Sequence, residues 1–589
     1  MDLKRSKRLW IGLAIVSMLF VGCMDEKYDL SDIDSDVTVN VKDLTIPVNI
    51  DDITLSSVLD LEEDDEIKEI NGIYAVVKKG DFHSNAISID PFVIRKPSIT
   101  PISADINVQN TFSIPNLPAG ITVSLIPAGT KLICFDIASA NASTDISLRA
   151  TNVDASIVSI NTIGADAVLT ASLQFSGLEN FVNDFYIEDL VLYLPKYLNA
   201  SISDGGVYDK ATGKVTFASS LISSQNLSKN ITITVKDIYA SQAGATLKDG
   251  VFSYSSSCKA EGSITVYKEN LKPTADINAL LQLNKIRYNC SLAFDRDIQI
   301  TDFSGNVDYT VKGINVDPIS LENIPDVLNQ TGTQIGLENP QIYVKLNNPL
   351  HSMNVSPTAD LELIPNPASD QEFKTSITAD KADNIFCLSP VRPNNFFSDN
   401  ESDYSQAQHV AFSNLGQVLY GNRIPTSIQL DIKAFAKQEV NNFHLGNYEP
   451  VNGEYTFYAP LQLTDESHIA YEDTIDGWND EDVDAITISK ITINAEVTKD
   501  IPYGVTLDFW PINKNGQKIE SVKGTATLSK DANKPQPLII NMEGTVTHLD
   551  GIIIKAKVDA ASTATLAPTM KLKVSNLKAK VSGSYDKEL

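Results

Sequence analysis

The segment Ile231-Thr232-Ile233-Thr234-Val235 alternates aliphatic residues with threonine. A period of two places successive side chains on opposite faces, so this stretch predicts a β-strand with one buried face. The same alternation recurs in Val37-Thr38-Val39-Asn40-Val41, in residues 120–125 and in residues 427–432. Strand patterns therefore extend over the whole chain.

The C-terminal region follows the same pattern. Residues 552–558 alternate apolar residues with lysines, and so do residues 570–574. The phase of the second run shifts at Ser575-Asn576, which predicts a β-bulge or a turn.

Turn residues agree with antiparallel pairing. Asn-Gly and Asp-Gly pairs tolerate the positive φ of two-residue hairpins, and they occur at Asn71-Gly72, Asp204-Gly205, Asp249-Gly250, Asn452-Gly453, Asn515-Gly516 and Asp550-Gly551. Helical periodicity is confined to two short segments, 178–184 and 321–329. We therefore predict an all-β fold of tandem antiparallel β-sandwich modules with few short helices.

A length of 589 residues corresponds to about three β units. We divide the chain into a leader (1–22), an acidic tether (23–36), an N-terminal β region of one or two modules (37–272), a middle β region (273–440) and a C-terminal β domain (441–589). The polar, proline-containing stretch 388–406 predicts a long loop or a linker.

The composition is that of a globular protein, with 42% hydrophobic and 21% charged residues. The 47 basic and 75 acidic residues give a formal net charge of −28. Phosphate neutralisation needs clustered Lys and Arg, so this balance excludes a broad electrostatic nucleic-acid binder. It also argues against adsorption of the body to an anionic membrane surface.

The N-terminus has the order of an export signal. Four basic residues precede an apolar run of 13 residues, Leu9 to Val21, which is too short to span a membrane. The run ends at Phe20-Val21-Gly22-Cys23. This resembles the lipobox of bacterial lipoproteins, although Phe20 stands where leucine is usual. The resemblance implies cleavage after Gly22 and acylation of Cys23, palmitate included. The alternative is an ordinary signal peptide with a chance cysteine.

The residues after Cys23 extend the resemblance. Met24-Asp25-Glu26 is similar to the acidic export signal of Bacteroidetes surface lipoproteins, and residues 28–36 resemble the segment that follows the cysteine in large lipoproteins of that phylum. This implies a protein anchored to the outer membrane and facing the exterior. Because Lys27 interrupts the acidic run, a periplasm-facing orientation is the alternative. Without residues 1–22 the net charge becomes −31, from 43 basic and 74 acidic residues.

Cysteine usage does not indicate a disulfide framework. Four scattered cysteines follow Cys23: Cys134, Cys258, Cys290 and Cys387. Cys134 and Cys290 lie in strand patterns and are interpreted as buried thiols. A Cys258–Cys290 bridge is an open alternative.

The G-x-S-x-G, H-E-x-x-H, P-loop and dinucleotide motifs are absent from the sequence. The Ser-x-x-Lys pattern occurs at Ser256, Ser575 and Ser584, and three such matches in turns and exposed strands are interpreted as chance. The acidic stretch 471–484 offers oxygen ligands at Asp473, Asp476, Asp480 and Asp482, a weak calcium candidate whose spacing does not match an EF-hand. We favour a solvated acidic loop there and predict neither metal nor cofactor. Within it, Asp473-Thr474-Ile475 resembles the O-glycosylation sequon of Bacteroidetes.

Carbohydrate binding would need an exposed aromatic platform. Beyond the leader the chain has two tryptophans, Trp478 and Trp510. Trp510 lies in a core-like strand pattern, so Trp478 is the candidate ligand contact. Its alternative role is an anchor for the loop.

These observations favour a non-catalytic cell-envelope lipoprotein that serves as an adhesive, binding or structural scaffold. Its partners would be the membrane, through the lipid on Cys23, and a glycan or envelope protein, with no nucleic acid. The first alternative is a glycan-binding accessory of an outer-membrane uptake system. The second is a hydrolase that uses a carboxylate pair in a deep cleft.

Overall fold

A computed structural model describes residues 37–47, 53–56, 61, 66–107, 120–137, 143–223, 226–325, 328, 331–420, 424–476, 486–560 and 565–587. Strand accounts for 60% of the structure and helix for 4%. The described part is thus all-β, as the alternating sequence pattern predicts.

The strands in chain order are β1 (Val37–Pro47), β2 (Ile53–Thr54), β3 (Ile67–Ile70), β4 (Ile73–Ile89), β5 (Phe92–Ile94), β6 (Ile102–Asn107), β7 (Lys131–Asp136), β8 (Ser143–Ala150), β9 (Ile157–Ser176), β10 (Tyr186–Tyr193), β11 (Leu198–Ile202), β12 (Val207–Asp209), β13 (Lys214–Thr216), β14 (Leu221–Ile222), β15 (Ser228–Ile238), β16 (Thr246–Lys248), β17 (Val251–Tyr267) and β18 (Lys285–Phe294). They continue with β19 (Ile298–Ile300), β20 (Asp302–Thr310), β21 (Asn315–Val316), β22 (Ile319–Ser320), β23 (Gln341–Asn347), β24 (Thr358–Asn366), β25 (Phe373–Thr378), β26 (Asp383–Ser389), β27 (Gln408–Ala411), β28 (Ser427–His444), β29 (Gly446–Pro460), β30 (His468–Ile475), β31 (Ile486–Lys499), β32 (Gly504–Asn513), β33 (Gly524–Leu528), β34 (Gln536–Val546), β35 (Leu549–Asp559) and β36 (Lys571–Lys587).

Helices are short. The α-helix α1 (Ile277–Leu281) begins after Asp276, whose side chain accepts a hydrogen bond from the Ala279 amide. Single 3₁₀ turns occupy Val123–Leu125, Lys268–Asn270, His351–Met353 and Leu415–Gln417.

The strands form five main sheets and the β5–β19 ribbon. Sheet I contains β7, β8, β10, β12, β13, β14, β16 and β17; sheet II contains β6, β9, β11, β15, β18, β20, β22, β24, β25 and β28; sheet III contains β3, β4, β21, β23, β26, β27 and β29; sheet IV contains β30, β32, β33 and β35; sheet V contains β1, β2, β31, β34 and β36. Ladders between the described strands are antiparallel, apart from the parallel β26–β27 pair.

Sheet II is shared by two sandwiches. Its half around β9 packs against sheet I, and its half around β28 packs against sheet III, within one continuous apolar core. Phe82 and Val344 of sheet III meet Leu361 and Ile377 of sheet II around a small void. In the third sandwich sheet IV covers sheet V, where Gly524 leaves room for Ile540.

Two pairings join distant parts of the chain. β1 pairs with β36, from Val37 opposite Lys587 to Pro47 opposite Lys578, and β4 pairs with β29. These contacts cross between the predicted regions 37–272 and 441–589, and that division stays a prediction.

Some of the strands and turns predicted from the sequence are present in the structure and others are not. Strands at 37–41, 231–235 and 427–432 are confirmed within β1, β15 and β28. The bulge is confirmed too, since the β31–β36 register shifts between Lys578 and Ser575 and Asn576 has a φ of 55°.

The strand expected at residues 120–125 is wrong. The Leu125 amide donates to Thr122 O and the Ile126 amide to Val123 O, at 3.0 and 3.3 Å, so local 3₁₀ bonds replace a ladder. Pro127 then confines Ile126 to extended backbone, and the Leu125 side chain is 69% exposed.

Three of the six predicted hairpin turns are also wrong. Asn452-Gly453 lies inside β29 and Asp550-Gly551 inside β35, and Asp204-Gly205 connects β11 of sheet II to β12 of sheet I, which do not pair. Asn71-Gly72 and Asp249-Gly250 do form hairpins, between β3 and β4 and between β16 and β17. Residues 178–184 form a hydrogen-bonded turn where a short helix was expected.

The polar stretch 388–406 is a loop that packs on the outer face of sheet III. Phe397 stacks on Tyr458 with 4.6 Å between ring centroids, and Tyr404 stacks on Tyr343 at the same distance. The Lys79 ammonium reaches Asp399, 2.7 Å away. Buried aromatic rings thus fix this loop to the sheet.

Candidate functional site

An open groove lies on the outer face of sheet II, across β25, β24 and β28. It encloses about 430 Å³ and is lined by Asp360, Leu361, Glu362, Lys374, Thr375, Ser376, Asp431 and Lys433. Two apolar voids in the core measure about 20 and 40 Å³. Ligand sites commonly have volumes of about 300–1,000 Å³, so the groove has the size of a site and the voids do not.

The strand register builds the groove from two rows of side chains. In the first row Asp360 stands between Ser376 and Lys433. The Ser376 hydroxyl donates to the Asp360 carboxylate over 2.7 Å. This row therefore presents an acceptor, a hydroxyl and an ammonium group side by side.

In the second row Glu362 stands between Lys374 and Asp431. Lys374 Nζ lies 3.4 Å from Glu362 Oε1 and 3.1 Å from Glu372 Oε2. A hydrogen bond to Glu372, with the charge of Glu362 adding to it, raises the pKa of Lys374. Lys374 therefore carries a full positive charge at neutral pH.

The pair Glu362–Asp431 is electrostatically unfavourable. The two half-buried carboxylates lie directly opposite each other on neighbouring strands, and like charges in that position destabilise a sheet. Lys433 lies diagonally from Glu362 and has no ion-pair partner among the described residues. The carboxylates of the groove can thus accept hydrogen bonds or a positive charge from outside the chain.

The anchor and ligand candidates from the sequence lie mostly outside the described residues. This applies to Gly22, Cys23, Trp478, Asp480 and Asp482. The acylation, the aromatic contact and the calcium site stay predictions.

Two members of the calcium candidate fall within the described chain. Asp473 is in β30, with its backbone opposite Ile554, and Asp476 is exposed just after that strand. No group of three or more His, Cys, Asp or Glu in the described residues could hold a metal ion.

Trp510 is not an open platform. It is 8% exposed, and the ammonium groups of Lys518 and Lys523 lie 3.7 and 4.8 Å from its ring centroid. The core position predicted for this residue is confirmed, and lysines occupy the ring face that a sugar would need.

The four described cysteines are free thiols. Cys134 and Cys290, which were predicted to be buried, are half-buried, whereas Cys258 and Cys387 are buried. The Cys258–Cys290 bridge is not formed in this structure. Burial, with smaller effects of Cys290 and Asp145, raises the pKa of Cys258 to about 12. These thiols therefore have the character of packing groups.

Sequence inspection did not identify the groove. The polar alternation of Asp360 and Glu362 along β24 is visible, and residues 427–432 predict a strand. Their juxtaposition depends on a pairing between segments about 70 residues apart in sequence, which periodicity does not specify.

No protein-family model and no curated protein matches the sequence. A solved structure from Parabacteroides distasonis, described as a secreted protein, is similar at 15% identity, with a TM-score of 0.33 over 48% of this chain and 89% of that one. The Penaeus vannamei nodavirus structure matches at 9% identity with a TM-score of 0.12, over 45% of this chain and 89% of that one. These similarities are too low to carry an argument about fold or function.

Within the described residues, no helix combines the length and the apolar character needed to cross a membrane.

Proposed function

We propose that the chain is a lipid-anchored, non-catalytic scaffold of the bacterial cell envelope. It would be held at the outer membrane through Cys23, facing the exterior, and would present the sheet II groove to a polar partner. A periplasm-facing orientation is the alternative location.

The observation that supports this proposal best is the position of β1. This strand of 11 residues begins 14 positions after Cys23 and forms the edge of sheet V, paired with β36. Antiparallel hydrogen bonds run perpendicular to the strands, so tension along β1 loads many of them together in shear. A tether that enters the fold through such a strand suits a body carried on a lipid.

The length of the proposed tether limits how far the folded body can lie from the lipid. Residues 24–36 span at most about 45 Å when extended, at roughly 3.4 Å per residue. Such a spacer would set the greatest distance between the lipid headgroups and the folded body, and it would leave the body free to orient at the surface.

The chemistry of the groove favours binding over catalysis. Its carboxylates and ammonium groups lie on an open sheet face and belong to three neighbouring strands, β24, β25 and β28. Hydrolysis by a carboxylate pair needs two carboxyl groups that flank the scissile bond, whereas Glu362 and Asp431 stand side by side on neighbouring strands of one open face. Polar side chains on an open face suit reversible contacts with a protein or a glycan.

The test uses the purified segment 25–589 on arrays of microbial and host glycans and of envelope proteins. We expect a specific hit that the double variant Asp360→Ala, Asp431→Ala loses. Asp308→Ala is the matched control, because Asp308 lies on the outer face of the same sheet and pairs with Lys437. Equal binding by both variants would contradict the role of the groove, and cleavage of the bound glycan would contradict the non-catalytic assignment.

The glycan-binding alternative places the contact at Trp478. It predicts that Trp478→Ala abolishes retention on a polysaccharide column while the groove variants are retained. The reverse pattern, with retention lost only in the groove variants, would rule out that location.

A further inference from the structure

Charge is distributed unevenly along the chain. Residues 486–587 contain 14 lysines and nine acidic residues, a net charge of +5. The remaining residues contain 33 basic and 66 acidic residues, a net charge of −33. The positive segment supplies β31 to β36, which make up most of the third sandwich. Residues 472–484, which include the end of β30 in the same sandwich, add seven acidic residues and no basic ones. The positive charge is therefore confined to the segment 486–587.

The outer face of sheet V carries exposed lysines in a row. Lys571 and Lys573 are exposed on β36 and Lys580 is half-buried on the same strand. Lys573 lies opposite Thr498, and Lys580 lies opposite Thr492. Lys573 and Lys580 have no ion-pair partner among the described residues. We refer to Lys571, Lys573 and Lys580 as the lysine row.

β34 is accessible on the same face. Ile539 on β34 is 52% exposed, and Asn541 beside it is exposed as well. Of the acids on this face, Glu543 is paired with Lys490, and Glu496 is half-buried. Asp500 is half-buried beside Lys571, and its carboxylate accepts a hydrogen bond from the Lys571 amide over 2.6 Å. The positive charge of the lysine row is thus only partly neutralised within sheet V.

The opposite face of the sandwich differs. On sheet IV the Lys555 ammonium lies 2.5 Å from Glu472, and that of Lys523 lies 3.0 Å from Asp508. Lys557 lies 3.1 Å from Asp559. These three lysines are neutralised by carboxylates and form an internal comparison set of equal size.

The lysine row belongs to the sheet that receives the tether. β1, which begins 14 residues after Cys23, pairs with β36 itself. A tether that spans at most about 45 Å keeps this sheet within reach of the headgroups. Lipid chains and a basic patch act together as two signals in membrane attachment.

We propose that the lysine row binds the phosphates of anionic lipid headgroups and holds sheet V against the membrane. The acidic remainder of the chain, which includes the groove on sheet II, is repelled by the same surface. This inference rests on the proposed lipid anchorage, which places sheet V near the bilayer.

The experiment measures vesicle binding by the purified, unlipidated segment 24–589. Vesicles of phosphatidylcholine alone are compared with vesicles in which phosphatidylglycerol replaces part of that lipid. Each lysine near an anionic surface strengthens binding about fivefold. The triple variant Lys571→Gln, Lys573→Gln, Lys580→Gln should therefore bind the mixed vesicles roughly a hundredfold more weakly.

The matched control removes the same number of charges from sheet IV, through Lys523→Gln, Lys555→Gln and Lys557→Gln. We expect this control to bind like the wild type, and added salt to weaken both. Equal weakening of the two triple variants, equal binding to neutral vesicles or no vesicle binding at all would overturn the proposal. If the protein bound soluble dextran sulfate but not vesicles, the lysine row would be a site for a soluble polyanion, and the proposal would also be overturned.

Because the protein used carries no lipid, this result does not depend on whether Cys23 is acylated in cells. Failure of the lysine row is thus distinguishable from failure of the anchor.

Discussion

Gly453 illustrates how a tertiary contact overrides a local turn signal. Asn452-Gly453 has the composition of a hairpin turn, yet both residues lie in β29, with Gly453 opposite Phe82. A Cβ at Gly453 would approach Phe82 Cζ to 2.2 Å. The glycine is needed because a buried ring occupies the space of its missing side chain.

We therefore expect Gly453→Ala to lower the free energy of unfolding by about 1–3 kcal/mol, the typical cost of overpacking a core. Urea titration followed by tryptophan fluorescence measures it. Gly504→Ala is the control, since the nearest atom to a Cβ there is 3.8 Å away. Equal stability of the two variants would show that Phe82 moves aside without cost.

Cys258 gives a prediction about reactivity. Its folded pKa of about 12 lies above the ordinary value of 9.0, and the thiolate is the nucleophilic form. The resulting contribution to stability is complete below the unfolded pKa and is lost as the pH rises through the folded one. Between pH 7 and 9 we expect the native thiol to resist iodoacetamide and the urea-unfolded thiol to react.

Mass spectrometry of the peptide that contains Cys258 measures this difference. Alkylation of the native protein at the unfolded rate would contradict the buried position. A Cys258–Cys290 disulfide, the alternative left open by the sequence, would instead block alkylation in urea until a reductant is added.

At the scale of strands, the carboxylate pair of the groove should limit stability. Asp431→Lys places opposite charges across β24 and β28, and we expect it to stabilise the protein by about 0.2–1 kcal/mol. Asp308→Lys is the converse control, because it creates a like-charge pair with Lys437 and should destabilise. Thermal unfolding of both variants tests this. Destabilisation by Asp431→Lys would mean that Asp431 serves the fold and not a partner.

The sequence predicted individual β-strands better than it predicted which strands pair with each other. Alternation in 231–235 and 427–432 was sufficient to predict β15 and β28, because each strand buries one face. The 3₁₀ turn at Val123–Leu125 was missed because alternation also arises where no partner strand is present. Strand order depends on contacts between distant segments, such as β1 with β36. The groove shares that dependence and was missed for the same reason.

At the scale of the whole molecule, the net charge of the chain does not reveal that basic and acidic residues are concentrated in different segments. The overall value of −28 argued against contact with an anionic membrane. The pairing of β1 with β36 shows that the tether joins the sandwich with the positive segment. The proposed anchorage and the proposed orientation then have a common basis in sheet V.

The central claim is that Cys23 carries the lipid that anchors this body. The most direct test is mass spectrometry of the N-terminal peptide of the mature protein, isolated from membranes of a Bacteroidetes host. We expect a peptide that begins at Cys23 with acyl chains attached, and a Cys23→Ala variant without acyl groups. A mature wild-type protein that begins at another residue, or at an unacylated Cys23, would contradict the account.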